Sequence, residues 1–152
     1  MLHLLQLPMR WGWMLGVNWI CGLPVTAACF NQLMVIVNLL SGKVHATQSK
    51  LTGNVATAAQ TLLDHSLWLG NCVPNVLVVD HNPKFTSQLF SEFTKAIGSA
   101  LIVGTVYHKN TGASVELTNS VLGDTLRALA NSRRDNWDKW VLHACFAISN
   151  AP

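Results

Sequence analysis

The chain has 152 residues, which is enough for one domain and too few for two domains of ordinary size. Half of the residues are hydrophobic and 11% are charged, so the composition excludes intrinsically disordered, collagen-like and low-complexity proteins. Ten lysines and arginines against seven aspartates and glutamates leave a net charge of +3, which is too small to indicate a nucleic-acid partner by itself.

The first half of the chain carries few charges, which raises the question of a membrane segment. No charged residue occurs between Arg10 and Lys43. Pro24 and several glycine and asparagine residues interrupt this stretch, so no window of about 20 residues is uniformly apolar, as a spanning helix requires. The opening residues also lack the basic segment and the cleavage site of a signal peptide. We therefore expect an intracellular protein with no membrane partner.

The cysteines and histidines do not suggest a disulfide framework or a zinc centre. The cysteines form no Cys-x-x-Cys pair, and without a secretory signal we predict that they are free, buried thiols. They are Cys21, Cys29, Cys72 and Cys145. The six histidines are scattered along the chain, which argues against zinc, because a zinc site needs three or four ligands.

The first part of the chain predicts an extended lead-in and three strands. The lead-in covers residues 1–12, and the domain that follows it covers 13–152. An apolar strand over 13–21 ends at a Gly-Leu-Pro sequence, because glycine and proline interrupt regular structure. Leu33–Val37 is a second strand, and a two-residue Ser-Gly turn lets Lys43–Thr47 pair back on it as a third. These elements predict an antiparallel meander.

Helices and strands then alternate. The first helix begins at Asn54 as its N-cap, since apolar residues recur at helical spacing after it. Val76–Val79 is a continuous apolar run, which is typical of a strand with both faces covered. A second helix covers Thr86–Ile97, with Leu89 among its inward residues and Gly98 just after its end.

The last third of the chain predicts a strand, a loop and two helices. Leu101–Val103 is a short strand, and Tyr107–Ala113 is a polar loop. A third helix begins at Ser114 as its N-cap, and a last helix carries apolar residues at helical spacing from Trp137 to Ile148. Three antiparallel strands followed by alternating helices and strands indicate an α/β domain with a mixed sheet.

Two carboxylates occupy positions that suit chemistry. Asp80 follows the buried strand Val76–Val79, at the strand end where open α/β sheets bind ligands. Glu116 lies in the first turn of the third helix, and 35 residues separate the two acids. Each also has an ordinary structural explanation, because aspartate is common in turns and the helix dipole favours an acid at a helix start. The positions alone leave both interpretations open.

The segments around these acids carry more information than their positions. Residues 80–87 read Asp-His-Asn-Pro-Lys-Phe-Thr-Ser, and Tyr107-His108 precedes Glu116 and Asn119. These segments resemble the D-R-x-P-x-F-T-S and Y-H-P-Q-T-D-G-Q-x-E-R-x-N segments of the retroviral-type integrase core of gypsy-class LTR retrotransposons, which also has 35 residues between the acids. Residues 20–24 resemble the end of the family's D-F-I-x-G-L-P strand. The resemblance runs over essentially the whole chain.

The resemblance implies a fold, an activity and a set of site residues. The fold is ribonuclease-H-like, with a five-stranded mixed sheet of three antiparallel and then two parallel strands flanked by helices. The activity is 3′-end processing and strand transfer on DNA by a homo-oligomer in the nucleus, with Mg2+ as cofactor. Asp80 and Glu116 match the second and third catalytic, metal-binding acids. The residues expected to contact DNA beside these acids are Lys84, Lys109, Asn110, Ser114 and Asn119.

The first acid of the family is missing. The chain reads Asn18-Trp19-Ile20 where the family has D-F-I, so Asn18 is a degenerate catalytic position. An amide offers a neutral oxygen where the family has an anion, and Mg2+ gives up its waters reluctantly, so we expect little or no strand transfer. The alternative is a domesticated, non-catalytic DNA-binding or protein-interaction domain of the same fold. The sequence leaves open whether the chain is still an enzyme.

Overall fold

The computed structural model describes residues 14–39, 41–50, 55–68, 73–80, 83–103 and 109–151. The predicted lead-in over residues 1–12 lies outside these ranges, as do the proposed N-cap Asn54 and Cys72. Within helices, the side chains of several residues also lie outside the description, including those of Lys84 and residues 109–114.

The described strands form one five-stranded mixed sheet in the order β3-β2-β1-β4-β5. The strands β1, β2 and β3 pair antiparallel, whereas β4 pairs parallel with β1 and β5 pairs parallel with β4. The bounds are Met14–Ile20 for β1, Gln32–Asn38 for β2, Val44–Ser49 for β3, Val76–Val79 for β4 and Ala100–Val103 for β5. The predicted arrangement of three antiparallel and then two parallel strands is confirmed.

Helices cover the two faces of this sheet. They are α1 Val55–Trp68, α2 Pro83–Thr86, α3 Gln88–Ala96, α4 Lys109–Leu129, a short 3-10 helix Trp137–Trp140, and α5 Val141–Ser149. In the ranges that the structure describes, no helix combines the length and the apolar character needed to cross a bilayer.

Successive side chains of the central strands point alternately into two cores, one on each face of the sheet. Leu15 and Val17 of β1 pack with Phe85 and Phe90, which follow β4 in the chain. The opposite face carries Leu33, Val35 and Val37 of β2, which pack with residues of α4 and α5. All seven residues of β2 are buried. A strand covered on both faces needs apolar side chains at successive positions, which explains the uncharged run in this part of the sequence.

The predicted helix over Thr86–Ile97 is divided in the structure. Thr86 ends α2, and Ser87 is the N-cap of α3, where its Oγ accepts a hydrogen bond from the Phe90 backbone N–H at 3.2 Å. The predicted end is confirmed, because Gly98 adopts φ +77° immediately after the C-cap. Leu89 is 55% exposed, so its predicted burial is wrong. The core-facing side of α3 is defined instead by Phe90 and Thr94, one turn apart.

The start of α4 also differs from the prediction. The sequence predicts a polar loop through Ala113 and a helix from Ser114, whereas α4 begins at Lys109. The segment contains no proline, and Gly112 costs a helix only about 1 kcal/mol relative to alanine. A polar composition therefore does not prevent the helix from starting early. Residues 104–108 lie outside the described ranges.

The last predicted helix begins with a 3-10 turn. Trp137 is 2% exposed, and its indole Nε1 donates a hydrogen bond to the Pro24 carbonyl at 2.7 Å. This bond ties the loop after β1 to the start of the C-terminal helices. Ala144 of α5 is fully buried against the sheet, as predicted.

The prediction of buried cysteines holds for one of the three that the structure describes. Cys145 is buried, and burial raises the pKa of its thiol to about 11. Cys21 and Cys29 are free but exposed, because both lie in the loop between β1 and β2.

Candidate active site

Asn18 and Asp80 lie side by side at one edge of the sheet. The last parallel pair between β1 and β4 is Val17 with Val79, and each of these strands continues directly into Asn18 or Asp80. The carboxyl ends of parallel strands are where open α/β sheets bind ligands. The structure therefore brings together the first and second predicted site positions.

The alternation of side chains assigns these two residues to one face. Val17 and Val79 belong to the core beneath α1–α3, so the next position of each strand falls on the opposite face. That face is covered by α4 and α5, and Ile20 of β1 packs there. Asn18 and Asp80 are each half-buried.

Local contacts fix the end of β1. The Trp19 backbone N–H donates a hydrogen bond to Asn18 Oδ1 at 2.7 Å, which leaves that oxygen with a second lone pair for another partner. On the other face, the Trp19 indole stacks on Phe85, with ring centroids 6.0 Å apart. Phe85 is fully buried in α2, which follows Asp80 in the chain. The two strand ends are thus anchored to the same core.

Glu116 is carried to this face of the sheet by α4. The neighbouring Val115 is 8% exposed and packs directly over Gly16 of β1. A Cβ atom at Gly16 would lie only 2.7 Å from Val115 Cγ2, so the helix approaches the strand more closely than a side chain would allow. Glu116 itself is exposed. Its helix lies over β1 on the side of the sheet that carries Asn18 and Asp80.

Asn119 lies one turn further along α4. Its helical spacing from Val115 and Leu122, both buried, places it on the stripe that faces the sheet. Asn119 Oδ1 is buried and has no hydrogen-bond partner among the described residues. A buried polar atom without a partner costs about 1–3 kcal/mol, and such atoms are found at sites that bind a ligand, an ion or water.

The remaining predicted DNA contacts stay predictions. Lys84 belongs to α2, and Lys109, Asn110 and Ser114 belong to the first turns of α4, so in the chain they flank Asp80 and Glu116. Their side chains lie outside the description.

The three predicted site residues Asn18, Asp80 and Glu116 all offer oxygen atoms as donors. Two carboxylates and one amide are ligands of the type that Mg2+ prefers over sulfur or imidazole sites. Among the residues that the structure describes, no three histidines, cysteines, aspartates or glutamates form a group that could hold a metal ion. With asparagine at position 18, the predicted set contains two acids.

Gly16 is the site-shaping residue that the sequence did not reveal. Its place inside a strand looked only like an interruption of an apolar run. A glycine in a strand interior also marks a position where another element approaches closely, and that signal was available. The approaching element, α4, could not be identified from the sequence.

Solved retroviral integrase cores share this fold. The crystal structure of the catalytic core domain of BIV integrase superposes with a TM-score of 0.68 at 17% identity, covering 90% of this chain and 82% of that chain. A cryo-EM structure of the simian T-cell lymphotropic virus intasome, in complex with a PP2A regulatory subunit, contains a chain with a TM-score of 0.65 at 19% identity. That match covers 93% of this chain and 55% of the other. The predicted ribonuclease-H-like, integrase-core fold is confirmed.

The amino-acid sequence is also similar to a retroviral polyprotein. It is 27% identical over 122 residues to the Pro-Pol polyprotein of simian foamy virus type 1. The aligned residues make up 80% of this chain. The match spans 10% of the polyprotein's length. No family model matches the chain. The chain is thus similar to a retroviral polyprotein in sequence and to integrase cores in fold, and the assignment to the gypsy class stays a prediction.

Proposed function

We propose that the chain is an integrase core of the DNA-integrating type whose acid set is reduced to Asp80 and Glu116. The observation that carries this proposal is the position of Asn18 beside Asp80, one residue beyond the last paired residues of β1 and β4. This is the strand end at which an α/β sheet binds its ligand. The fold and the similarity to a Pro-Pol polyprotein support the same assignment.

The chemistry of the donors explains why Asn18 matters. Asp80 and Glu116 would hold Mg2+, which when bound activates the attacking oxygen and stabilises the leaving oxygen of a displacement at phosphorus. Asn18 adds a neutral oxygen that already accepts the Trp19 N–H. The total negative charge facing two dications is therefore one unit lower than with an aspartate at this position, which weakens metal binding.

The proposed substrates and setting follow from this function. We propose that the chain acts on DNA ends and target DNA in 3′-end processing and strand transfer, as part of a homo-oligomer in the nucleus. One of the similar structures is named an intasome, which supports assembly on this fold. Because of Asn18, this copy is a degenerate enzyme with little or no strand-transfer activity.

The test is a strand-transfer assay of the parent protein and the Asn18→Asp variant in Mg2+. We expect the variant to be at least about tenfold more active, because the loss of even a residue that only supports a metal ligand typically costs 10- to 100-fold. Adding Asp80→Asn to that variant should remove the gain. Asn38→Asp is the matched control, since it makes the same change on β2 opposite Leu15, at the far end of β1. A parent protein that works near the rate of the Asn18→Asp variant would contradict the proposal.

The alternative is a non-catalytic DNA-binding or protein-interaction domain of the same fold. The neutral Asn18 is the observation that favours it, because its Oδ1 has a backbone partner and does not need a metal. This alternative predicts that Asn18→Asp gives no strand transfer. Salt-dependent DNA binding by the same protein would then identify a DNA-binding domain, and its absence an interaction domain.

A further inference from the structure

Helix α4 and strand β1 meet at one unusually close contact. Gly16 is the contact position on the strand, and Val115 is the contact position on the helix. A Cβ atom at position 16 would approach Val115 Cγ2 to 2.7 Å, whereas carbon atoms in contact lie about 3.5–4.0 Å apart. Position 16 therefore admits no side chain unless the helix moves by about 1 Å.

Val115 cannot easily relieve such a clash by itself. Valine is β-branched and holds about 90% of its helical population in one rotamer, so rotating the methyl group away is unfavourable. Val115 is also 8% exposed, which leaves little room around it. Leu39 Cδ2 lies 3.7 Å from the same Cβ position, which is an ordinary van der Waals contact, so the clash is with Val115.

The contact joins two of the elements that carry the candidate site residues. Asn18 is two residues after Gly16 on the same face of β1, and Glu116 follows Val115 on α4. Any separation of the helix from the strand at Gly16 therefore moves Glu116 away from the strand ends that carry Asn18 and Asp80.

We propose that Gly16 and Val115 are a pair of positioning residues, which set the distance between the Glu116 carboxylate and the Asn18–Asp80 edge of the sheet. This inference rests on the proposed function, in which those residues act together on one metal-dependent reaction. The two residues touch no substrate themselves. Their role is to hold the acid on the helix at the separation that joint binding of a dication requires.

The test uses Mn2+ binding as a probe, measured by calorimetric titration of the Asn18→Asp protein. In this background we expect Gly16→Ala to weaken Mn2+ binding by about 10- to 100-fold, as changes in the shell behind metal ligands do. Adding Val115→Ala removes the Cγ2 atom that the new methyl group meets, so it should restore most of the affinity.

Gly123→Ala is the matched control for this test. It makes the same substitution on α4, where a Cβ atom would meet only the Arg127 guanidinium nitrogens at 3.9 Å. We expect its Mn2+ affinity to equal that of the Asn18→Asp protein. Thermal unfolding of each variant is measured alongside, and a loss of Mn2+ affinity by Gly16→Ala at a temperature where it is fully folded separates positioning from folding.

The outcomes distinguish this inference from the proposed function. If Asn18→Asp binds Mn2+ no better than the parent protein, the proposed function fails; a crystal structure of Gly16→Ala then tests the inference by the position of α4 relative to β1. The inference is overturned if α4 keeps its position in Gly16→Ala. It is also overturned if the Asn18→Asp protein binds Mn2+ and Gly16→Ala does not change that affinity. If Gly16→Ala alone does not fold, the double variant with Val115→Ala must fold and bind Mn2+; its failure also overturns the inference.

Discussion

His45 is a half-buried residue of β3 whose protonation affects stability. Burial lowers the pKa of its imidazole, and Nε2 lies 3.4 Å from Thr47 Oγ1. The folded protein therefore favours the neutral ring. The stabilising contribution is complete above the unfolded pKa of about 6.5 and is lost as the pH falls through the lower, folded pKa.

We expect the melting temperature to fall on acidification from about pH 7.5 to about pH 5, and to fall less for His45→Gln. Thermal unfolding followed by circular dichroism at several pH values measures this difference. His143→Gln is the control, because His143 is exposed on α5 and its ring contacts Trp140. Equal pH dependence of the His45→Gln and parent proteins would show that His45 is not the responsible group.

At the scale of the elements, the start of α3 is capped by one hydroxyl group. Ser87 Oγ accepts the Phe90 N–H at the start of α3, and Phe90 is fully buried. We expect Ser87→Ala to lower the free energy of unfolding by about 1 kcal/mol, the usual value of an N-cap, as measured by urea denaturation. Ser87→Asp keeps an acceptor at the same position and should cost much less. If both variants lose the same free energy, the cap is not what stabilises α3.

The elements also show which features a sequence can predict. Four of the five strands were predicted from apolar runs, because buried strands require them, and β3 was predicted from the Ser-Gly turn before it. Val76–Val79 also placed Asp80 at a strand end. The predicted start of α4 was wrong, because nothing in the sequence of Lys109–Ala113 forbids a helix. Tertiary packing decides the length of such a helix. The approach of Val115 to Gly16 joins residues 99 positions apart, so only the folded chain reveals it.

At the scale of the molecule, the uneven charge of the sequence follows from the sheet. Residues 1–79 hold four of the seventeen lysine, arginine, aspartate and glutamate residues, and the remaining thirteen follow from Asp80 onwards. The early segment supplies β1 and β2, which lie between two cores, and β3, which packs against one of them. The later segment supplies exposed helix surfaces, including the Arg127–Asp124 ion pair on α4. The charges are therefore concentrated in the part of the chain that forms the strand edge at Asp80 and the helix of Glu116.

The net charge and the uneven distribution of charged residues predict how the molecule would bind DNA. Phosphate contacts release counterions, so log K falls linearly with log salt, with a slope of about −0.9 for each phosphate neutralised. With a net charge of +3, we expect weak binding that depends on a few lysines near the site. Lys84→Gln and Lys109→Gln should each lower the affinity and reduce the slope by about one, as measured by fluorescence anisotropy at several salt concentrations.

Lys139→Gln is the matched control for these variants. It also removes one positive charge, but it lies in the 3-10 helix before α5, distant in sequence from both acids. If binding is directed to the Asp80–Glu116 region, Lys139→Gln leaves the salt slope unchanged while the other two variants reduce it. If all three lysines reduce the slope equally, the attraction is a diffuse effect of net charge. The DNA contacts assigned to Lys84 and Lys109 would then be wrong, even though the fold and the acids stay in place.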